Sequence, residues 1–138
     1  MRRIARKDRA FCSPSDVPEL RYRELQLWEA SPAEPDDNRR YRSCHGTPAE
    51  VLREASRLNA YTLTDRATFE SIRKDVRLVP LLQGTPLLHN DVAILLIGRG
   101  QARPDAEWFV QWVMSYRGRE EIDRYRYQGG RRLFVQER

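Results

Sequence analysis

Apolar residues recur at helical spacing in three places along the chain, and short apolar runs lie between them. Leu20, Leu27 and Trp28, set among arginines and glutamates, predict an amphipathic helix over 18–30. Val51, Leu52, Ala55 and Leu58 predict a second helix, announced by Thr47-Pro48-Ala49-Glu50. That tetrapeptide has a threonine cap, a proline in the first turn and a glutamate three residues after the cap, and Asn59 suits the helix end. Trp108, Phe109, Trp112 and Val113 predict a third helix from Pro104 or Asp105, with an aromatic face that needs a partner surface. Gly118 is expected to break it, and 119–127 to form another helix closed by Gly129-Gly130. Residues 1–9 read as a helix fragment or a frayed end, and 67–74 as a short helix.

The runs between read as extended. Ala10-Phe11-Cys12 is short and leads through the turn Ser13-Pro14-Ser15-Asp16 into the first long helix. Pro32, Pro35 and Asp36-Asp37-Asn38 form a loop, after which Tyr41 begins a packed element. Leu78-Val79-Pro80-Leu81-Leu82 reads as a strand near an edge, because its proline cannot donate to a ladder. After the turn at Gln83-Gly84-Thr85-Pro86, residues 87–97 read as extended and Leu133-Phe134-Val135 as a last short strand. Strands alternating with helices argue for an α/β fold.

Residues 58–69 are chemically the most specific. Tyr61, Thr62 and Leu63 form a strand-like run, and Thr64 and Asp65 follow where helix caps sit. Arg66 then puts a guanidinium at a helix start, so the stretch has the parts of an anion-facing edge. A capped helix after a buried strand is the plainer account of the same residues.

Composition narrows the classes. The 138 residues are 40% hydrophobic and 33% charged, a folded-domain balance, with a net charge of +5. The basic side is nearly all arginine, Lys7 and Lys74 being the lysines. The arginines are interleaved with acids along the whole chain and form no basic stripe with aromatics, which argues against nucleic acid as a partner. The longest apolar run, residues 92–97, is too short to span a membrane, and no apolar segment follows the basic first residues as in a secretory signal. Cys12 and Cys44 have no metal-ligand spacing, and His45 beside Cys44 does not complete a zinc set. Whether the two cysteines pair, as an oxidising compartment would allow, stays open. His89 reads as structural, and no nucleophile–base–orienter arrangement or phosphate loop points to an enzyme or to a cofactor.

Several stretches in order resemble the tungstate-binding solute receptors of ABC transporters. Ala60-Tyr61-Thr62-Leu63-Thr64-Asp65-Arg66 is similar to that family's signature. Phe11, Ser13 and Asp16 fall where it has a Phe-x-Ser-Arg-Gly-Asp-type motif, and Glu24-Leu25-Gln26-Leu27-Trp28 is similar to its Glu-x-x-Leu-Trp pattern. Leu82 to Leu88 with Asn90, then Trp112, Gly118, Ile122 and Gly129 through Phe134, follow the family's later landmarks. The resemblance implies a periplasmic-binding-protein-like type II fold, with one complete lobe and the C-terminal part of the other. Residues 1–13 would be a leading segment and first crossover strand, 14–91 the second lobe, and 92–138 the return crossover strand and remainder of the first lobe.

It further implies tungstate or a similar tetrahedral oxyanion as ligand, with Ser13, Thr62, Thr64 and Arg66 as binding residues. Tyr61, Asp65 and Asp16 would be structural at the cleft edge, with no metal. Two departures give the expectation of a truncated chain with an eroded site. The receptor's N-terminal part is not represented. Pro14-Ser15 stand where the family has arginine and glycine, and Pro18-Glu19-Leu20-Arg21 where it has a Ser-Gly-Thr-His run. The competing reading is a non-binding structural remnant, or half of a split receptor that needs a separately encoded N-terminal half. An ABC permease is the implied membrane partner. The family works in the periplasm or outside the cell, whereas this chain, read as a full translation product, would stay in the cytoplasm.

Overall fold

A computed structural model describes residues 1–89, 92–96, 103–126 and 132. The chain divides into two compact units, Met1–His89 and Asn90–Arg138. The first holds helix α1 (Arg2–Arg6), strand β1 (Phe11–Pro14), α2 (Pro18–Glu29), β2 (Tyr41–Cys44), α3 (Pro48–Leu58) and α4 (Arg66–Ile72). Strands β1 and β2 pair in parallel, with Phe11 opposite Tyr41 and Pro14 opposite Cys44. On the other side of β1, Tyr61 makes a parallel bridge to Phe11. Its amide donates to Ala10 O and its carbonyl accepts from Cys12 N, both at 2.8 Å. β1 therefore runs between β2 and the segment at Tyr61.

All four residues of β1 are buried, as expected of a parallel strand covered on both faces. The alternation of a strand sends them to two different cores. Phe11 packs with Trp28 of α2, Tyr41, Ala33 and Ala5. Phe11 and Tyr41 stack at 5.7 Å, and Trp28 meets both edge-on. Cys12 points the other way, to Cys44, Ala60 and Val51 and Ala55 of α3. Beyond α3, Leu52 packs with Phe69, Ile72 and Val76, which seats α4.

Cys12 and Cys44 are joined in a disulfide, which answers the pairing question the sequence left open. Cys44 lies opposite Pro14, two positions along from the residue that faces Cys12. Their Cα atoms are 5.5 Å apart, a spacing a disulfide spans without backbone movement. Both sulfurs are buried beneath α3.

The strongest local signals act as expected. Thr47 caps α3 in a capping box with Glu50, Pro48 opens the helix, and Asn59 closes it in the left-handed conformation. α4 is N-capped by Asp65 and ends at Ile72, earlier than the sequence suggested. The expected strand at 61–63 shrinks to the single bridge at Tyr61. The next ladder acceptor, Cys12 O, instead receives the Thr62 hydroxyl at 2.7 Å, and the pairing stops there.

The expected strands at 78–82 and 92–96 form no ladder among the described residues. Val79, Leu81, Leu82, Val92 and Leu95 are exposed, while Leu78 alone of the first run packs inward. Apolar β-formers make a strand only when another strand takes their amides and carbonyls. Residues 86–88 form a 3-10 turn in place of extended chain.

The second unit contains α5 (Arg103–Met114) and α6 (Tyr116–Arg124). Trp108, Phe109 and Trp112 of α5 are exposed, and the last two rings stack at 6.4 Å. The break between the helices comes at Ser115 and not at Gly118. The Ser115 hydroxyl accepts from Gly118 N and donates to Trp112 O, so it caps α6 while closing α5. Gly118 lies inside α6, at a position where a Cβ would come within 2.1 Å of Trp112 O. The anticipated last strand at 133–135 lies outside the described residues.

Candidate functional site

Parallel strands all end at one edge, and each is followed here by a helix. β1 leads to α2, β2 to α3, and the Tyr61 segment to α4, so three helix N-termini begin at that carboxyl edge. The lateral order is β2, β1, Tyr61 segment. The chain leaves β1 to one side, then crosses back to the other. The switch point thus lies between β1 and the Tyr61 segment, and crevices at such points are where open α/β sheets take ligands. Ser15 and Asp16 follow β1 at this edge and are tied toward β2, through Cys44 O and Gly46 N, while Leu63, Thr64 and Asp65 follow the Tyr61 bridge.

Six of the seven residues singled out in the sequence have assigned structural partners or places at this edge. Tyr61 supplies the bridge to Phe11, and Thr62 is engaged with Cys12 O. Asp65 accepts from Thr68 N at 2.8 Å and Thr68 Oγ1 at 2.6 Å, and Arg66 is the first residue of α4. Asp16 clamps the loop after β2. One oxygen contacts His45 Nδ1 at 2.8 Å and the other accepts from Gly46 N at 2.9 Å. The Gly46 amide first, and His45 second, hold the Asp16 carboxyl below its ordinary value. Gly46 has φ +100, a conformation that favours glycine, and this turns its amide to Asp16. Thr64 stands apart: its Oγ1 is buried with no hydrogen-bond partner.

Ser13 is fully buried and turned toward α2. Its hydroxyl donates to Glu24 Oε2 at 2.6 Å and accepts from Arg21 Nη1 at 2.8 Å. Glu24, also fully buried, further accepts from Arg21 Nη1 at 3.1 Å, Trp28 Nε1 at 2.9 Å and the Tyr41 hydroxyl at 2.7 Å. Arg21 Nη1 also donates to the Tyr41 oxygen, and the guanidinium lies 5.8 Å from the Tyr41 ring centre. Burial works against the Arg21 charge, but Tyr41 and Glu24 outweigh it and raise the pKa. Sequence reasoning missed this cluster. Its signal was a glutamate at the same helical register as buried Leu20 and Trp28, with an arginine three residues earlier.

The N-terminus of α3 answers its own charges. Glu50 accepts from Thr47 N at 2.7 Å and Thr47 Oγ1 at 2.8 Å, and these bonds hold its carboxyl below the ordinary range. An open groove beside it, lined by Arg42, His45, Glu50 and Glu54 among others, mixes both charge signs. Among the described residues no three His, Cys, Asp or Glu side chains are placed to hold a metal, and no helix is long and apolar enough to cross a membrane.

The chain is a small mixed α/β protein with a two-stranded parallel sheet and, among the described residues, six helices. No family model matches it. It is 27% identical over 141 residues to the "Putative ABC transporter anion-binding protein" of Haloferax volcanii, covering 95% of this chain and 41% of that one. It is 24% identical over 129 residues to the tungstate-binding protein TupA of Peptoclostridium acidaminophilum, covering 91% and 45%. The chain thus spans less than half the length of these curated relatives. The crystal structure of a conserved protein of unknown function from Vibrio parahaemolyticus superposes with a TM-score of 0.60 at 24% identity, over 91% of this chain and 55% of that one. That likeness concerns the fold alone.

Proposed function

We propose that this chain is a binding module for a small tetrahedral oxyanion of the tungstate type, built as a lobe of a type II solute-receptor fold, and that it is not an enzyme. The observation that carries the reading is Thr64. Its hydroxyl is buried without a partner beside the switch point, where a donor would be kept for a ligand. Arg66 at the start of α4 adds positive charge to the same segment, and the two distant relatives are named for anion and tungstate binding. By the same analogy the module works outside the cytoplasmic membrane with an ABC permease. The buried disulfide suits such an oxidising compartment.

A second reading, a structural relative that binds nothing small, is favoured by Ser13 and Thr62. Both hydroxyls are committed to internal acceptors, as an eroded site would have them. Calorimetric titration with tungstate, molybdate and sulfate separates the two readings. The binding module gives saturable heat and, at about 100 times Kd, about 2.7 kcal/mol of added stability. No heat and no thermal shift at millimolar anion would leave the structural reading standing. Thr64→Val sharpens the test. Removing a hydroxyl that has no partner leaves the unliganded chain as stable or more stable, while oxyanion affinity falls.

A further inference from the structure

We propose that the outer margin of β2 seats a second copy of this chain, paired strand to strand across a two-fold axis at Ser43. β2 has β1 on its inner side, and among the described residues no further strand pairs with its other side. Arg40 O and Cys44 O each accept at 3.1 Å, from Phe11 N and Ser15 N, so the even-numbered residues turn their backbone groups toward β1. Successive peptide groups of a strand point to opposite sides, which sends those of Tyr41 and Ser43 outward. The Tyr41 amide is taken by Asn38 O at 3.0 Å. That leaves the Tyr41 carbonyl, and both the amide and the carbonyl of Ser43, at the open margin. Just past the strand, the His45 amide has no hydrogen bond among the described residues.

A residue that offers a donor and an acceptor side by side completes itself across a two-fold axis. Ser43 N of each copy donates to Ser43 O of the other, and His45 N to Tyr41 O, in an antiparallel ladder. In this register Arg42 stands opposite Cys44 of the other copy. Moving the axis to Arg42 would set the two arginines directly against each other, which like charge disfavours. The groove along this margin runs from Arg42 and His45 to Glu50 and Glu54 of α3. Arg42 and Cys44 share the face of β2 that α3 covers, so each Arg42 is directed to Glu50 and Glu54 of the other copy. A margin carrying both signs complements itself, whereas a peptide of one sign would leave half of it unmet; this singles out a second copy as the occupant.

The bland alternative is a short edge strand left in water, its arginines keeping other strands away. Sedimentation of the full chain from micromolar to millimolar concentration distinguishes the two. Pairing predicts a mass that rises toward twice that of the chain, with exchange of the Ser43 amide slowing in step. Ser43→Pro removes the outward amide and leaves the β1–β2 ladder its own donors, so this variant should stay monomeric where the wild type pairs. Arg42→Glu should weaken pairing about tenfold or more, and Arg42→Glu/Glu54→Arg should restore it. A wild-type chain that stays monomeric at millimolar concentration overturns the proposal, as does wild-type pairing by either Ser43→Pro or Arg42→Glu. Trp28 emission reports whether each variant is folded. Should Ser43→Pro fail to fold, Arg42→Glu and its charge-swapped partner decide the matter alone: no loss, or no recovery, overturns it.

Discussion

Truncating Glu24 to alanine tests the energetic account of the first unit most directly. The carboxylate receives donors from Ser13, Arg21, Trp28 and Tyr41 with no exposure to water. Removing one partner of a buried ion pair costs about 3–5 kcal/mol. Arg21 is one-third exposed and can recover water, which argues for the lower end of that range. The Ser13 and Tyr41 hydroxyls can rotate to other acceptors. The Trp28 indole N–H cannot, because its side chain is only 1% exposed, and an orphaned donor of this kind costs about 1–3 kcal/mol by itself. Glu24→Ala is therefore expected to lose about 3–4 kcal/mol, a large share of the roughly 5–15 kcal/mol that holds a domain together. Urea unfolding followed by tryptophan emission measures it, since Trp28 is buried while Trp108 and Trp112 are already exposed. At a slope of about 1–3 kcal/mol per molar urea, the midpoint should fall by about 1–4 M. A variant within about 1 kcal/mol of wild type, the upper range for an exposed ion pair, would refute the reasoning.

Three further outcomes are expected. Mass spectrometry of the non-reduced chain should find both thiols oxidised, and Cys12→Ala/Cys44→Ala should lose about 3–4 kcal/mol, the chain-entropy value for a 32-residue separation; an unchanged melting temperature would contradict it. The carboxyls of Asp16 and Glu50 are depressed from 3.8 and 4.5, so their stabilisation is fully present above those values. It is lost as pH falls below them. Asp16→Asn should flatten the acid limb of an unfolding-against-pH curve, and an identical limb would show that the clamp on Gly46 contributes nothing. Gly118→Ala must push Trp112 O and Val113 aside, at about 1–3 kcal/mol by the usual cost of overpacking. Circular dichroism should show weakened α5–α6 helicity, whereas full retention would mean the corner relaxes freely.

The Glu24 and disulfide effects share one cause, the use of β1 as a strand buried on both faces. Phe11 packs in an aromatic core under α2 and Cys12 in a sulfur-containing core under α3. The polar network hangs from Ser13, one step beyond Cys12. The two most constrained features of the unit, a buried carboxylate and a buried disulfide, therefore meet at adjacent positions of a single strand.

Local physics was legible in the residues. Thr47-Pro48-Ala49-Glu50 determined where α3 starts, because a capping box satisfies its amides from within four residues. Asn59 and the register of Val51, Leu52 and Ala55 determined its end and its buried face. The Asp65 cap and the start of α4 at Arg66 could likewise be read in order, as could the exposed aromatic face of α5. Long-range choices were not legible. The apolar runs at 78–82 and 92–96 have strand composition, but pairing is a property of two segments, and no ladder forms on them among the described residues. Cys12 and Cys44 became a disulfide only because parallel pairing brought their Cα atoms to 5.5 Å. Ser13, singled out as a ligand donor, was claimed by Glu24 eleven residues away. Capping and periodicity act within one turn of the chain and so appear in its sequence. Burial of a charge, and the partners that make it tolerable, depend on which elements meet, and only the tertiary structure decided that.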